Sequence, residues 1–267
     1  MAYKILFVTD LHGNKEVYER LVDFANKEKE IQAVVIGGDL SAASKGAMEE
    51  GVRIEKEFLV DFMIPELKKC SKDIYLMMGN DDFKVNMEVL EKESKKGTFK
   101  LMHNKVNKLG KWNIVGYSFV TQMPFLMKDW EKMDDSDSKA MTDAKQEIRS
   151  VPKEKGTIKE DMAKLKKLSN PKKTIYVMHA PPFDTYLDRI YEKRHVGSKS
   201  IREFIENEQP FLTLHGHIHE SVTMSGEFAD KIGSTVCANP GSEYHDGILN
   251  AVIIDLENLE DMEHEMI

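Results

Sequence analysis

Cysteine is almost absent: Cys70 and Cys237 are the only two in 267 residues, far apart and in no metal-ligand spacing. That excludes a disulfide framework and points to a reducing, cytoplasmic compartment, with both thiols expected as inert packing residues. No stretch approaches the ~20 consecutive apolar residues that a membrane span requires. The opening MAYKILFVTD is apolar only from Ile5 to Val8 before it meets an acid, so it reads as a first strand and not as a signal peptide. A basic surplus is missing as well. Net charge is −8, from 38 basic and 46 acidic side chains, which argues against indiscriminate binding to duplex nucleic acid. It leaves a small phosphorylated partner open, because bound cations would dominate the local field. Internal repeats and low-complexity segments are lacking, and 41% hydrophobic with 31% charged residues excludes disorder.

What is present is a series of short apolar runs, each ending in a small or polar residue: Ile5–Val8, Ala33–Ile36, Ile74–Met78, Asn113–Tyr117, Thr174–Met178 and Phe211–Leu214. Runs without alternation fit strands buried on both faces. Between the first two, Val17, Leu21 and Phe24 mark a helix with Asn14 as N-cap and Glu16 in its first turn. A second helix runs from Glu49 to about Met63 and is expected to stop near Pro65. Strand, helix, strand, helix, strand in this order indicates parallel crossovers with helices packed on a sheet.

Later, Ser200 to Asn207 reads as a helix with a Ser200–Glu203 capping box, followed by strands near Thr235–Ala238 and Leu249–Ile254. Because these last strands arrive without long helical crossovers, more than one sheet is expected. Between Thr121 and Lys173 the composition turns highly charged, and a helix begins at a Thr157–Glu160 capping box with Ile158, Met162, Leu165 and Leu168 along one face. This stretch reads as a helical insertion in a single α/β domain over 1–267, either a solvated excursion or a lid.

The chemistry sits just past the apolar runs. The first leads into Asp10-Leu11-His12, the second into Gly38-Asp39, the third into Gly79-Asn80-Asp81-Asp82, a later one into His179, and another into His215-Gly216-His217-Ile218-His219. In parallel α/β sheets ligands bind beyond the carboxyl ends of strands, so independent segments that each deliver a ligand there imply one shared site. In extended backbone, residues two apart point the same way, which would let Asp10 and His12 share a face, and likewise His217 and His219. Gly13, Gly38, Gly79 and Gly216 permit tight turns and close backbone approach. Carboxylate, imidazole and amide oxygen form a mixed set suited to Mn, Fe, Zn, Ni or Co. Seven ligands are too many for one tetrahedral ion and suit two divalent ions sharing a bridging carboxylate.

The series Asp10-x-His12, Gly38-Asp39, Gly79-Asn80-Asp81, His179 and Gly216-His217-x-His219 resembles the calcineurin-like metallophosphoesterase superfamily over nearly the whole chain. The resemblance implies a double β-sandwich flanked by helices. It implies that Asp10, His12 and His219 hold one metal and Asn80, His179 and His217 the other, with Asp39 bridging and manganese favoured. It further implies hydrolysis of phosphodiesters or phosphomonoesters, diesters favoured, by in-line attack of a metal-bridging hydroxide, with Asn80 also touching substrate. Asn239-Pro240-Gly241-Ser242 resembles the family's closing segment and is given a structural turn.

Many members of that superfamily carry histidine directly after the motif asparagine, as proton donor or phosphate anchor; this chain has Asp81. Beside two dications an aspartate should have a lowered pKa and donate poorly, so activated esters should be cleaved far better than alkyl esters. His195, in Arg194-His195-Val196-Gly197-Ser198 before the Ser200 helix, is the candidate replacement, contacting the substrate where the helix N-terminus could hold an anion. His215 reads as a packed, hydrogen-bonded histidine at a strand end. Arg189, Lys193 and Arg194 read as a solvated basic loop, and His103, His245 and His264 receive no role. Two other readings stay open: a non-catalytic metal-binding scaffold for protein partners, and a nuclease with a small basic groove. Whether a nucleotide is the substrate, and whether the chain self-associates, is not written in these residues.

Overall fold

The computed structural model describes residues 2–41, 48–123, 129–139, 141–142, 149–150, 152–191 and 193–267. Four strands, β1 (Lys4–Val8), β2 (Ile31–Ile36), β3 (Asp73–Leu76) and β4 (Lys100–Leu101), pair in parallel in chain order. The chain then forms an antiparallel hairpin of β5 (Val106–Leu109) and β6 (Trp112–Tyr117). A separate short pair follows, β7 (Met141–Thr142) with β8 (Arg149–Ser150). Next, β9 (Thr174–Met178) lies parallel to β6, and β10 (Leu212–Leu214) parallel to β9. Finally β11 (Ala229–Ile232) edges β12 (Thr235–Ala238), while β13 (Asn250–Asp255) and β14 (Met262–Met266) return to β1. The result is two six-stranded sheets, ordered β14-β13-β1-β2-β3-β4 and β11-β12-β10-β9-β6-β5.

Side-chain alternation explains why both faces of these strands are apolar. Ile5 and Phe7 of β1, Ala33 and Val35 of β2, and Ile175 and Val177 of β9 fill a core between the two sheets. Their neighbours Leu6, Val8, Val34, Ile36, Tyr176 and Met178 face outward into the helical layers. Those layers hold α1 (Lys15–Lys27), α2 (Met48–Phe58), α3 (Ile64–Leu67), α4 (Met87–Ser94), α5 (Ile158–Leu165), α6 (Lys199–Glu208) and the short α7 (Ser221–Ser225). This is the expected double β-sandwich flanked by helices.

Three local expectations are corrected. Pro65 does not end the second helix: a π-helical turn over Leu59–Met63 leads into α3, and the proline sits in the first turn of α3, where its fixed φ suits a helix. The sixth helix is capped by Ser198, whose hydroxyl accepts from the Ile201 N–H at 3.0 Å, so Ser200 lies inside the helix and makes no capping box. The fifth helix has its Thr157–Glu160 box but stops at Leu165, leaving Leu168 45% exposed and off the buried face. The charged stretch 121–173 spans the connection from β6 to β9, neighbours in one parallel pair. Such a pair requires a long crossover, and α5 is its helix. Positions 124–128, 140, 143–148 and 151 of that stretch fall outside the described residues.

Candidate metal centre

Every candidate ligand follows a strand: Asp10 and His12 follow β1, Asp39 β2, Asn80 β3, His179 β9, and His217 and His219 β10. They do not reach the site by extended alternation, as the spacing implies. Asp10, His12, Asp39 and His217 all adopt left-handed backbone, with φ of 56°, 44°, 51° and 69°. For residues with a Cβ this costs on the order of 1–3 kcal/mol each and persists only where the surroundings impose it. Here neighbouring loops are laced together. The N–H groups of Asp10, His12 and Gly13 donate to the carbonyls of Gly38, Asp39 and Leu40 at 3.0, 2.9 and 3.1 Å. The Gly216 N–H donates to the His179 carbonyl at 3.0 Å, and the His217 N–H to the Asp10 carboxylate at 3.0 Å. Two glycines are required by proximity. A Cβ on Gly79 would stand 2.2 Å from Asp39 Oδ1, and one on Gly216 would stand 2.4 Å from Asp10 Oδ2.

Ligand atoms of Asp10, His12, Asp39 and His219 all lie within 4.8 Å of one another. His12 Nε2 is 3.0 Å from His219 Nε2 and 3.6 Å from Asp39 Oδ2. On the other side of Asp39, His179 Nε2 is 3.3 Å from the same Oδ2 and 3.0 Å from Asn80 Oδ1. The His217 ring packs against the His179 ring at 5.5 Å between centroids. His179 Nδ1 donates to the Gly37 carbonyl at 2.9 Å, which turns Nε2 toward the cluster.

Asp10 and Asp39 are each 1% exposed. Burial alone would raise their pKa values, but His219 and His179 beside Asp10, and His179 and His12 beside Asp39, outweigh it and hold both carboxyls below the usual range. Burial likewise works to lower His179, yet Asp39 and Asp10 drive it up to about 10. Carboxylates this buried need positive charge beside them. Oxygen and imidazole donors in one cluster suit a divalent first-row ion, so the residues present fit such a group.

In the protein alone, burial and then the charge of Asp39 push the Asp81 carboxyl up to about 7. A dication beside it would act in the opposite direction. Its Oδ1 accepts from Asn80 Nδ2 at 2.8 Å, orienting that amide so its oxygen meets His179, and its own N–H donates to Asp39 Oδ1 at 2.8 Å.

Behind the ligands lies a pair of acids that no motif singles out. Asp82, 1% exposed, accepts from the N–H groups of Leu40, Ser41 and Gly79 at 3.0, 2.9 and 2.8 Å, clamping the Asp39 loop to the Asn80 loop. Glu55 of α2, 2% exposed, accepts from the Phe83 N–H at 2.9 Å and from Ser41 Oγ at 2.9 Å. Both are raised by burial, Glu55 to about 7 and Asp82 well above the carboxylate range with Glu55 adding to it. Asp82 at least adjoins the Gly79-Asn80-Asp81 series; Glu55 carries no sequence signal, because an acid in a helix ordinarily faces water.

None of the contacts of His195 among the described residues is with a candidate ligand. Its Nδ1 meets the fully buried Asp188 at 2.7 Å, its Nε2 lies 3.6 Å from Asp184, and its ring abuts Phe183. It lines a separate cavity of about 610 Å³ together with Thr121, Ser138, Phe183 and Lys199. The anion at the following helix N-terminus is already supplied by the protein. Asp134 accepts from Ser198 Oγ and from the N–H groups of Lys199 and Ser200 at 3.0 and 3.2 Å, which corrects the phosphate-site expectation there. His215 is packed as expected, Nδ1 donating to the Met178 and Ala180 carbonyls at 2.9 and 3.0 Å, and burial lowers it to about 4. Asn239 makes the expected turn, its Oδ1 accepting from the Gly241 N–H at 2.9 Å. Lys193 and Arg194 are exposed, while Arg189 folds back over Tyr186 at 5.3 Å.

Residues 3–221 match the family described as calcineurin-like phosphoesterase. A comparison with curated proteins finds no match. Among solved structures, one that is 17% identical superposes with a TM-score of 0.73, covering 100% of this chain and 99% of that one. The protein TT1561 of Thermus thermophilus, 15% identical, gives a TM-score of 0.65 with coverage of 100% and 99%. These likenesses are of fold. The family match runs over most of the chain and takes in every ligand position from Asp10 to His219, so this chain belongs to the calcineurin-like phosphoesterase family, whose members depend on divalent metal.

Proposed function

We propose that this chain is a dinuclear phosphohydrolase that acts on small phosphodiesters in preference to monoesters. Asp10, His12 and His219 would hold one ion, Asn80, His179 and His217 the other, and Asp39 both. The observation that carries this reading is the position of Asp39 Oδ2, 3.6 Å from His12 Nε2 on one side and 3.3 Å from His179 Nε2 on the other. When bound, two divalent cations supply Lewis acidity and an activated water for in-line attack at phosphorus, and manganese is the favoured metal among Mn, Fe, Zn, Ni and Co.

The chain's own residues supply the preorganisation. Gly37 and Asp39 fix the His179 ring, and Asp81 fixes the Asn80 amide, whose oxygen faces the cluster and whose nitrogen stays beside Asp81. Asp82 holds the two loops at constant separation. For His195 we propose contact with the leaving group, through the ring nitrogen that is not tied to Asp188. The free thiols Cys70 and Cys237 favour a reducing, cytoplasmic compartment. Among the described residues no helix is long and apolar enough to cross a membrane.

The test is hydrolysis of bis-p-nitrophenyl phosphate and p-nitrophenyl phosphate by metal-stripped protein, before and after Mn²⁺, with Asp39→Ala as control. Manganese-dependent turnover that disappears in the variant, with the diester cleaved faster, is the expected result. Folded protein that stays inactive with every metal tried would sink the hydrolase reading and leave a scaffold for protein partners in its place.

A further inference from the structure

One side chain closes over the cluster without belonging to the ligand set. Tyr244 opens the short turn Tyr244–Asp246, and that turn is tied to the ligand loops at several points. Asn14 Nδ2 donates to the Tyr244 carbonyl at 2.6 Å, Ser242 Oγ to the Asp10 carbonyl at 2.8 Å, and the Ser242 N–H to the His219 carbonyl at 3.1 Å. The ring therefore has little freedom. It stacks on His12 with 4.4 Å between centroids and 27° between planes, and meets His219 edge-on at 5.8 Å and 90°. His245 lies against it at 3.8 Å.

Stacking alone would be served by phenylalanine. The hydroxyl makes no hydrogen bond within the described residues, and the ring that carries it lies over His12 and beside His219. Ionised carboxylates only accept, and one of the two Asn80 Nδ2 hydrogens is taken by Asp81. A phosphoryl group at this centre presents anionic oxygens that need donors. A phenol is a neutral donor at neutral pH.

We propose that Tyr244 is a substrate-binding residue whose hydroxyl donates a hydrogen bond to a nonbridging oxygen of a phosphoryl group held at the metal centre. This rests on the phosphohydrolase reading above. Tyr244→Phe keeps the ring on His12 and removes only the donor. Tyr244→Ala removes both.

Inorganic phosphate and Mn²⁺ are the probes, titrated separately by calorimetry into wild-type protein and both variants, with phosphate added to the Mn²⁺-loaded forms. Tyr244→Phe should weaken phosphate binding about tenfold, equivalent to ~1.4 kcal/mol, and leave Mn²⁺ affinity unchanged. Tyr244→Ala should weaken Mn²⁺ binding as well. In turnover, Tyr244→Phe should raise KM for bis-p-nitrophenyl phosphate by a similar factor. Wild-type affinity for phosphate in Tyr244→Phe would overturn the assignment. So would an equal loss of Mn²⁺ affinity in both variants, which would make the residue a packing element, or a wild-type protein that binds no phosphate. Phosphate bound in a Tyr244-dependent manner without any turnover would instead remove the hydrolase reading and leave this assignment standing.

Discussion

Glu55 offers a test of whether the acids behind the centre are understood. It is 2% exposed, and burial raises its carboxyl from 4.5 to about 7 even though the Phe83 N–H, Asn86 Nδ2 and Ser41 Oγ all favour the ionised form. The folded value lies above the unfolded one, so between roughly pH 4.5 and 7 the native chain holds a proton that the unfolded chain has released. Its contribution to stability is therefore fully present below about pH 4.5 and declines as pH rises through 7. At 1.36 kcal/mol per pH unit the decline totals about 3 kcal/mol, and at this depth there is no solvent screening to discount. That is a large share of the ~5–15 kcal/mol that holds a typical domain together.

Glu55→Gln removes the titration without orphaning a partner. The amide oxygen takes the place of Oε1, which accepts from the Phe83 N–H at 3.1 Å and from Asn86 Nδ2 at 3.0 Å, and the amide nitrogen takes that of Oε2 and donates to Ser41 Oγ. Urea denaturation of metal-stripped wild type and variant from about pH 4.5 to 8 should show the variant gaining about 3 kcal/mol relative to wild type across that range. Asp81 titrates in both proteins and drops out of the difference, while Asp82, which Glu55 helps to raise, is relieved in the variant and adds to the gain in the same direction. Parallel stability profiles would refute the reasoning, because they would mean that Glu55 is ionised throughout and that its hydrogen bonds outweigh its burial.

Two further outcomes are expected. His195→Ala should lower turnover of an alkyl diester at least tenfold and change an activated nitrophenyl diester much less, since only a poor leaving group needs help; unchanged kinetics on both would make His195 a loop residue anchored to Asp188. Asp134→Ala should lower stability by about 2 kcal/mol in thermal or urea denaturation, as the sixth helix loses an acceptor for its first N–H groups; a loss near zero would show that Ser198 caps the helix unaided.

The ligand positions are legible because two local signals coincide at each: an apolar run that can only be a doubly buried strand, then a polar metal-type residue where the strand ends. Asn14 and Thr157 are legible for a similar reason, since an N-cap is a contact between residues two or three apart. Pro65 misleads, because proline is tolerated in a first helical turn and nothing local foretells the π-helical turn before it. Ser198 and Ser200 both suit a cap, and the Asp134 carboxylate arriving from the β6–β9 connection meets the Ser198 hydroxyl and the Ser200 N–H together.

The sequence by itself determined the layered α/β fold, the order of its opening strands and the residue types at the centre, because burial patterns and strand-end polarity are written in neighbouring positions. Tertiary structure alone decided the left-handed turns that bring Asp10, His12, Asp39 and His217 inward, the Glu55–Asp82 clamp and the place of Tyr244 over His12. Each of those depends on hydrogen bonds or ring contacts between segments distant in the chain, and a backbone strained against its own preference is held only by the partners that fold around it.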